Sequence, residues 1–445
     1  MKNTLVTNFI EQVLAEVKKQ NVQSADLVIN TNQGLTIKTS KAILDEYKVA
    51  SSNVAGLRII HQGKVGLSYT EQLTEENIKP LIKMALDNSQ LANYSEYEKI
   101  DFAEKAMNGE NFNESEMLDG NLIEKIEFTQ KMESEVLSHD GVVACPYHGF
   151  SESVTSSYYA NHKGVQKFQS DYFLSCYTSA LMKKDDISAL SYYSAYSRKL
   201  KQLDSKLCIN ESLKHAKNFL AGKAISTGKY SVIFSPDSLA SLFNAFSGFF
   251  SAKRAKDGSN PFFQKLGTKT FSDLLTIKDD PYYKPAFFQY PWDSEGRDRQ
   301  VLAIAEKGIF TGAYHNSVTA KYFKTENNAR AMRSPRGALG VSGTNTVISA
   351  GNDSQIWHGK VLEIQELTGT HSGTNAISGD FSLPCTGYLK ENGQTISVVR
   401  YITIAGNFLE MLSNIEAVGT EIKNDQSFSF FSPEILFKNI SVAGL

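Results

Sequence analysis

Cysteine, tryptophan and proline are scarce in this 445-residue chain, with four, two and ten copies. The cysteines, Cys145, Cys176, Cys208 and Cys385, stand far apart. They form no CxxC pair, zinc knuckle or small disulfide framework, and read as scattered reduced thiols of a cytoplasmic protein. No run of roughly 18 or more apolar residues occurs, so no helix is expected to span a membrane. Excess charge is missing too: 46 basic residues face 48 acidic ones, a formal net charge of −2. That balance argues against an overall electrostatic grip on nucleic acid. None of the eight histidines, His61, His139, His148, His162, His215, His315, His358 and His371, lies three or four positions from another. A helix face of the HExxH or HxxxH type, the common seat of a catalytic zinc, is therefore absent. There is no GxSxG elbow. Gly337-Ala-Leu-Gly340-Val-Ser-Gly343 fits neither phosphate-loop pattern.

What is present suits a globular protein. Hydrophobic residues make up 41% of the chain and 30 glycines accompany them, enough for a sizeable core. The N-terminus resembles neither a signal nor a transit peptide, and Phe9, Ile10, Val13, Leu14 and Val17 have amphipathic helical spacing. Two strands, Asp26 to Asn30 and Gly34 to Lys38, are predicted around a turn at Asn32-Gln33-Gly34, and a second hairpin turns at Gln62-Gly63. Thr74 is placed to cap a helix bearing Ile78, Leu81, Ile82 and Ala85, with Pro80 kinking it or marking its start. The polar stretch Asn93 to Glu114 reads as a linker. A helix is expected from Asp119 to Ser138, with Leu122, Ile123, Ile126, Met132 and Val136 near one face and Phe128 off it. Strand composition runs from Gly141 to Tyr196, then a helix from Ser205 to Ala221, ending at Gly222. A strand at Tyr230–Phe234 leads through Ser235-Pro236 into a helix from Asp237 to about Ala252. Further strands are expected at Gln300–Ala305 and Val361–Glu366, and Asn392-Gly393 is a strong hairpin signal. The expected fold is α+β in two domains. Residues 1–222 form a mixed domain with antiparallel hairpins, and residues 223–445 a mainly β domain with a few helices.

Few constellations could carry chemistry. His371 and Ser372 are neighbours and Asp380 is near, but adjacent residues on a strand face opposite ways, so sequence proximity alone makes no triad. Cys385 reads as a packed small side chain rather than an activated thiol. The basic run Lys321, Lys324, Arg330, Arg333 and Arg336 reads as a solvated loop ahead of a contact for an acidic partner. The segment Gly369 to Pro384, rich in Gly, Ser, Thr and Asn, could pair its backbone with an extended peptide or simply be a tight connection between strands.

Five ordered segments resemble the TldD/TldE (PmbA) family. They are Gly56-Leu-Arg-Ile-Ile-His-Gln-Gly-Lys-Val-Gly, Asp293-Ser-Glu-Gly296 followed by His315-Asn-Ser-Val-Thr-Ala-Lys321, His371-Ser-Gly-Thr-Asn-Ala-Ile-Ser-Gly-Asp-Phe-Ser, Gly387-Tyr-Leu-Lys-Glu-Asn-Gly, and Ile404 to Gly419. The resemblance implies a cytoplasmic peptidase system that trims peptides and unfolded polypeptides, including maturation of antibacterial peptides. It also implies that the older family name, modulator of DNA gyrase, reflects an indirect effect. In the family a TldD-type subunit holds zinc through His-Glu-x-x-x-His and a C-terminal cysteine, and pairs with a paralogue of the same fold. Here Asn244, Ala245 and Phe249 fall where that motif would, and the C-terminal tail has no cysteine. The chain therefore resembles the TldE/PmbA type, with no catalytic residue or cofactor of its own and zinc in the TldD-type partner. The segment from His371 is then expected to hold substrate backbone through His371, Ser372, Gly373, Asn375, Gly379 and Asp380. A homodimer is expected when the chain is made alone. Another class of reading is a homodimeric peptide-binding protein without hydrolytic activity; a third is an unconventional peptidase acting through Cys385.

Overall fold

The computed structural model describes residues 4–20, 22–100, 102 and 121–445. Most of the predicted linker and the predicted helix start at Asp119 lie outside them. The described residues form the expected α+β fold around two large sheets. In the first, β1 (Ser24–Ser40), β2 (Ile43–His61), β3 (Lys64–Thr70), β4 (Val142–Ala144), β5 (Gly149–Asn161) and β6 (Gln166–Lys184) lie in the order β3-β2-β1-β5-β6-β4. A seventh strand, β7 (Ile187–Ser197), pairs with β6. All pairings in this sheet are antiparallel. Four helices cover one face: α1 (Thr4–Val17), α2 (Ile78–Leu91), α3 (Leu122–Leu137) and α4 (Ser205–Leu220). Val6, Phe9, Ile10 and Val13 of α1 pack on Leu27, Ile29, Leu57 and Ile59 of the sheet, the half-turn periodicity of one meeting the alternation of the other. Pro80 sits in the first turn of α2, where its missing N–H is harmless.

Two readings of this half are corrected. Asn32-Gln33-Gly34 is no turn: it runs extended in the middle of β1, flanked on both sides by β2 and β5. The chain reverses at Lys41-Ala42, both at positive φ, whose N–H groups donate to the Glu133 carboxylate at 3.0 and 2.8 Å. On α3, Leu122 and Ile123 are exposed, and the buried face is Lys125, Thr129, Met132, Glu133 and Val136. Lys125 can be buried because Glu152 lies 2.5 Å away, and Tyr172 donates to the same carboxylate.

The second half contains β8 (Gly228–Phe234), β9 (Ile277–Asp279), β10 (Leu302–Glu306), β11 (Ile309–Phe310), β12 (Ala331–Met332), β13 (Gly340–Val341), β14 (Thr346–Ile348), β15 (Lys360–Leu367), β16 (Asp380–Glu391), β17 (Gln394–Asn407), β18 (Ile415–Asn424) and β19 (Phe430–Ala443). β12 and β13 pair with each other, and the rest form one sheet. Because β8 pairs with both β15 and β19, the strands β8, β15, β16, β17 and β19 close into a ring. The Asn392-Gly393 turn joins β16 to β17 as predicted, with both residues at positive φ. The helices here are short: α5 (Pro236–Ala245), α6 (Ala252–Lys256), α7 (Ser317–Phe323) and α8 (Phe408–Ser413). The expected helix to Ala252 stops at Ala245, where Phe246 leaves helical dihedrals and a separate tight turn, Ser247–Phe250, follows.

The other face of the first sheet docks on this half through buried charge. Asp26 of β1 and Arg58 of β2 are cross-strand partners, 0% and 1% exposed. Arg58 Nε lies 3.1 and 3.2 Å from the Asp26 carboxylate oxygens, and Nη2 also donates to it. Arg333 reaches across to Asp26 at 2.8 Å, and Glu295 approaches Arg58 at 3.5 Å. Burial opposes charge on Arg58, but Asp26 and Glu295 outweigh it and hold its pKa above the ordinary value. Glu295 also accepts from the N–H and hydroxyl of Ser317. Gly56, beside Arg58, has no room for a side chain, since a Cβ there would run into the Pro335 carbonyl. Arg330 and Arg333, read as part of a solvated loop, are buried instead, Arg330 on Asp279 and Arg333 on Asp26.

His315, in the same region, is pushed down to about 4 by burial, and its ring lies edge-on to Phe263 and Phe323. The unfolded chain binds a proton there below about pH 6.5 while the folded chain does not, so stability falls as pH drops from 6.5 toward 4. Asp293, raised to about 6 by burial and by Glu295, works in the opposite direction. The comparison with His315→Gln cancels that contribution. Thermal midpoints measured from pH 7 to 4.5 should fall less in the variant; parallel curves would refute the assignment.

Candidate functional site

A cleft of about 790 Å³ lies between the two halves. Its walls include Tyr192 and Tyr193 of β7, Asp237 at the start of α5, Glu366 of β15, and Lys423 at the end of β18. Ser235 caps α5 by accepting from Ser238 N–H, and both serine hydroxyls donate to the Gln365 carbonyl at 2.9 and 2.8 Å. That ties the helix start to β15. Gln426 spans the cleft: its N–H donates to Asp237 at 2.8 Å, and its side-chain oxygen accepts from the Ser194 N–H at 3.0 Å and hydroxyl at 3.1 Å. Ser191 donates to Glu366 at 3.3 Å.

Burial raises the pKa of both Asp237 and Glu366, and it pushes Tyr193 up to about 12. His215, also on the wall, is lowered by burial, and its Nδ1 lies 3.0 Å from the Tyr388 hydroxyl. Among the described residues the only strand paired with β7 is β6 and the only strand paired with β18 is β19; the second edge of β18 is taken at Val418 and Gly419, whose carbonyls accept from Asp353 and Gly351 N–H, and is outside the sheet ladders beyond them. The Ser194 N–H on the β7 edge is the one Gln426 takes, which turns that edge toward the cleft. Two strand edges with tyrosines and poised carboxyls can hold an extended peptide by its backbone.

None of the six residues predicted to contact substrate lines this cleft. Five of them lie in the connection between β15 and β16, which leaves the cleft rim at Leu367, and Asp380 is the first residue of β16. Thr368 at the start of that connection and Pro384 of β16 line an adjoining cavity of about 330 Å³ that shares Leu190 and Glu366 with the cleft. His371 and Ser372 are exposed, and the Ser372 hydroxyl donates to the Gly369 carbonyl at 3.1 Å. Gly373 N–H donates to the same carbonyl at 2.8 Å. Asn375 accepts from the N–H groups of Ile377 and Ser378, closing a turn. Gly379 is at φ +90, a conformation that favours glycine. Asp380 accepts from Ser378 at 2.7 Å and from Asn407 at 2.9 Å, bonds that hold its carboxyl below the usual range. Asp380 thus braces the loop against the start of α8, and the neighbourhood of His371, Ser372 and Asp380 forms no relay. Cys385 is buried, and burial pushes its thiol up to about 12, the opposite of activation.

Family models match three stretches of the chain: PmbA/TldA metallopeptidase domain 1 over residues 25–89, the central domain over 119–220, and the C-terminal domain over 227–444. The chain belongs to the PmbA/TldD family. Metalloprotease PmbA of Escherichia coli O157:H7 is 23% identical over 440 residues, covering 96% of this chain and 94% of that one. A metalloprotease of Archaeoglobus fulgidus is 31% identical over 210 residues, 45% of this chain and 48% of that one. The crystal structure of TldE from Thermococcus kodakarensis has a TM-score of 0.84 at 20% identity, covering 99% and 100% of the two chains.

The residues expected at the metal-motif positions of this PmbA/TldD chain do not have the chemistry to hold zinc. Asn244 is exposed on the last turn of α5, and Ala245 ends the helix with a methyl group. Phe249 is 1% exposed, with ring centroids of Phe246 at 5.7 Å, Phe262 at 5.5 Å and Phe408 at 6.4 Å. Among the described residues no group of three or more His, Cys, Asp or Glu side chains is placed to hold a metal ion. No helix among them is long and apolar enough to cross a membrane. The cleft itself escaped sequence reading. Only the Ser235-Pro236 helix start marked its position, because Gln426, Ser194 and Asp237 are joined solely by folding.

Proposed function

We propose that this chain is the non-hydrolytic, TldE/PmbA-type subunit of a zinc peptidase acting on peptides and unfolded polypeptides. Its partner is a TldD-type paralogue that carries His-Glu-x-x-x-His and the zinc. The observation behind this reading is the fate of the motif positions: an exposed amide, a methyl group and a phenyl ring stacked in the core supply neither ligands nor a general base. The likeness to the Thermococcus kodakarensis TldE structure supports the subunit type. The chain's contribution is the walls and rim of a substrate chamber. The loop bearing His371, Ser372, Gly373, Asn375, Gly379 and Asp380 helps hold extended backbone at the rim.

The test is expression of the chain alone and together with a paralogue bearing the intact motif from the same host. The expected result is a near one-to-one complex that cleaves unfolded polypeptide, while the chain alone carries no stoichiometric zinc and cleaves nothing. Within the complex, His371→Ala or Asp380→Ala should lower turnover by roughly tenfold or more without dissociating the pair. Normal turnover in both would remove the loop from the site. Zinc-dependent cleavage by the chain alone would overturn the subunit reading. So would failure to bind the paralogue while binding peptide by itself, which is the behaviour of a homodimeric peptide-binding protein.

A further inference from the structure

Folding brings two of the four cysteines together. Cys176 on β6 and Cys208 near the start of α4 are 32 positions apart, yet their Sγ atoms lie 3.8 Å from each other. Both are fully buried in the core between α4 and the sheet, among Leu174, Leu200, Leu203 and Ile209. Cys208 Sγ also lies 3.8 Å from the Cys176 carbonyl oxygen. The two sulfurs are in van der Waals contact, and closing by less than ~2 Å brings them to bonding distance. Cys385 belongs to the core of the other half, and Cys145 packs at the margin of this one.

We propose that Cys176 and Cys208 are a redox pair that hydrogen peroxide converts to a disulfide, clamping α4 onto β6. One thiol attacks the peroxide O–O bond; its sulfur becomes a sulfenic acid and one oxygen leaves as water. The second thiol attacks the sulfenic sulfur, the S–O bond breaks, and the hydroxyl leaves as water with the second thiol's proton. Two thiols thus lose two hydrogens, and one peroxide becomes two waters. The neighbouring Cys208 thiol and burial hold the Cys176 thiol above its usual pKa, so the pair is slow to react in the closed core. Oxidation proceeds when the start of α4 opens, and Asp204 caps that start from the surface with one bond, to Leu207 N–H at 2.8 Å. The clamp acts on the cleft. α4 carries Glu211 and His215, and β7, which follows β6, carries Tyr192 and Tyr193, all on the cleft wall.

The experiment treats the reduced full chain with hydrogen peroxide, so its outcome is independent of any paralogue or peptide. Thiols titrated in denaturant should fall from four to two, and the chain should lose two hydrogens in mass. Peptide mapping without reductant should join the fragments bearing Cys176 and Cys208. The thermal midpoint should rise by roughly 2–5 °C, because the bond removes loop entropy from the unfolded chain. Dithiothreitol should reverse all of these changes. Cys176→Ala and Cys208→Ala should each keep their remaining thiols, and whichever of the two folds serves as the control. Cys145→Ala and Cys385→Ala should still form the bridge. Four surviving thiols, a bridge to Cys145, oxidation to sulfinic acid without a bridge, or a bridge that leaves the midpoint unchanged or lowers it would each overturn the proposal.

Discussion

Asp26→Ala is expected to lower folding stability by about 3–5 kcal/mol, the usual cost of removing one partner from a buried ion pair. Asp26 is the anion that two buried arginines share, Arg58 from its own sheet and Arg333 from the other half of the chain. Without it both guanidinium groups stay out of water and, among the described residues, only Glu295 forms an ion pair with either, at 3.5 Å from Arg58. Burial already lowers the pKa of Arg333, and Asp26 is the main group opposing that. Urea unfolding with a two-state fit reads the loss directly. Asp26→Asn separates charge from shape: it keeps the side-chain volume but accepts weaker hydrogen bonds. A cost for Asp26→Asn under roughly 1 kcal/mol would mean that packing, not charge, holds the halves together.

Phe249→Ala should cost about 3–5 kcal/mol, as truncation of a buried phenyl ring normally does. Phe249 fills the space among Phe246, Phe262 and Phe408. A double-mutant cycle with Phe408→Ala should return a coupling of about 0.5–1.5 kcal/mol from the ring contacts. The wild-type midpoint should be unaffected by a metal chelator. A near-neutral Phe249→Ala, or a midpoint that drops when metal is removed, would contradict the placement of this residue in a dry aromatic core.

Local patterns carried much of the fold. Hairpins at Gln62-Gly63 and Asn392-Gly393, the start of α2 near Pro80 and the Ser235-Pro236 cap need only a few neighbouring residues, and all are found in the structure. The failures share one cause. Asn32-Gln33-Gly34 has turn composition, yet neighbouring strands on both sides keep it extended. Lys41-Ala42 lacks turn composition, yet a carboxylate 92 and 91 residues away satisfies its N–H groups. Arg333 looked like surface charge because its counter-ion is 307 positions distant. The buried face of α3 was misjudged for the same reason, as Lys125 has its partner on β5.

The sequence by itself determined the α+β class and the family, because each depends on residue identity or on spacing within a short segment. Only the tertiary structure decided that the motifs around Arg58, Glu295 and Ser317 form a joint between halves, that Asp380 braces a loop, and that Gln426 spans a cleft. Those outcomes rest on which charges and hydrogen-bonding groups share a buried space, and a buried group must find its partner wherever the fold brings one, regardless of distance along the chain.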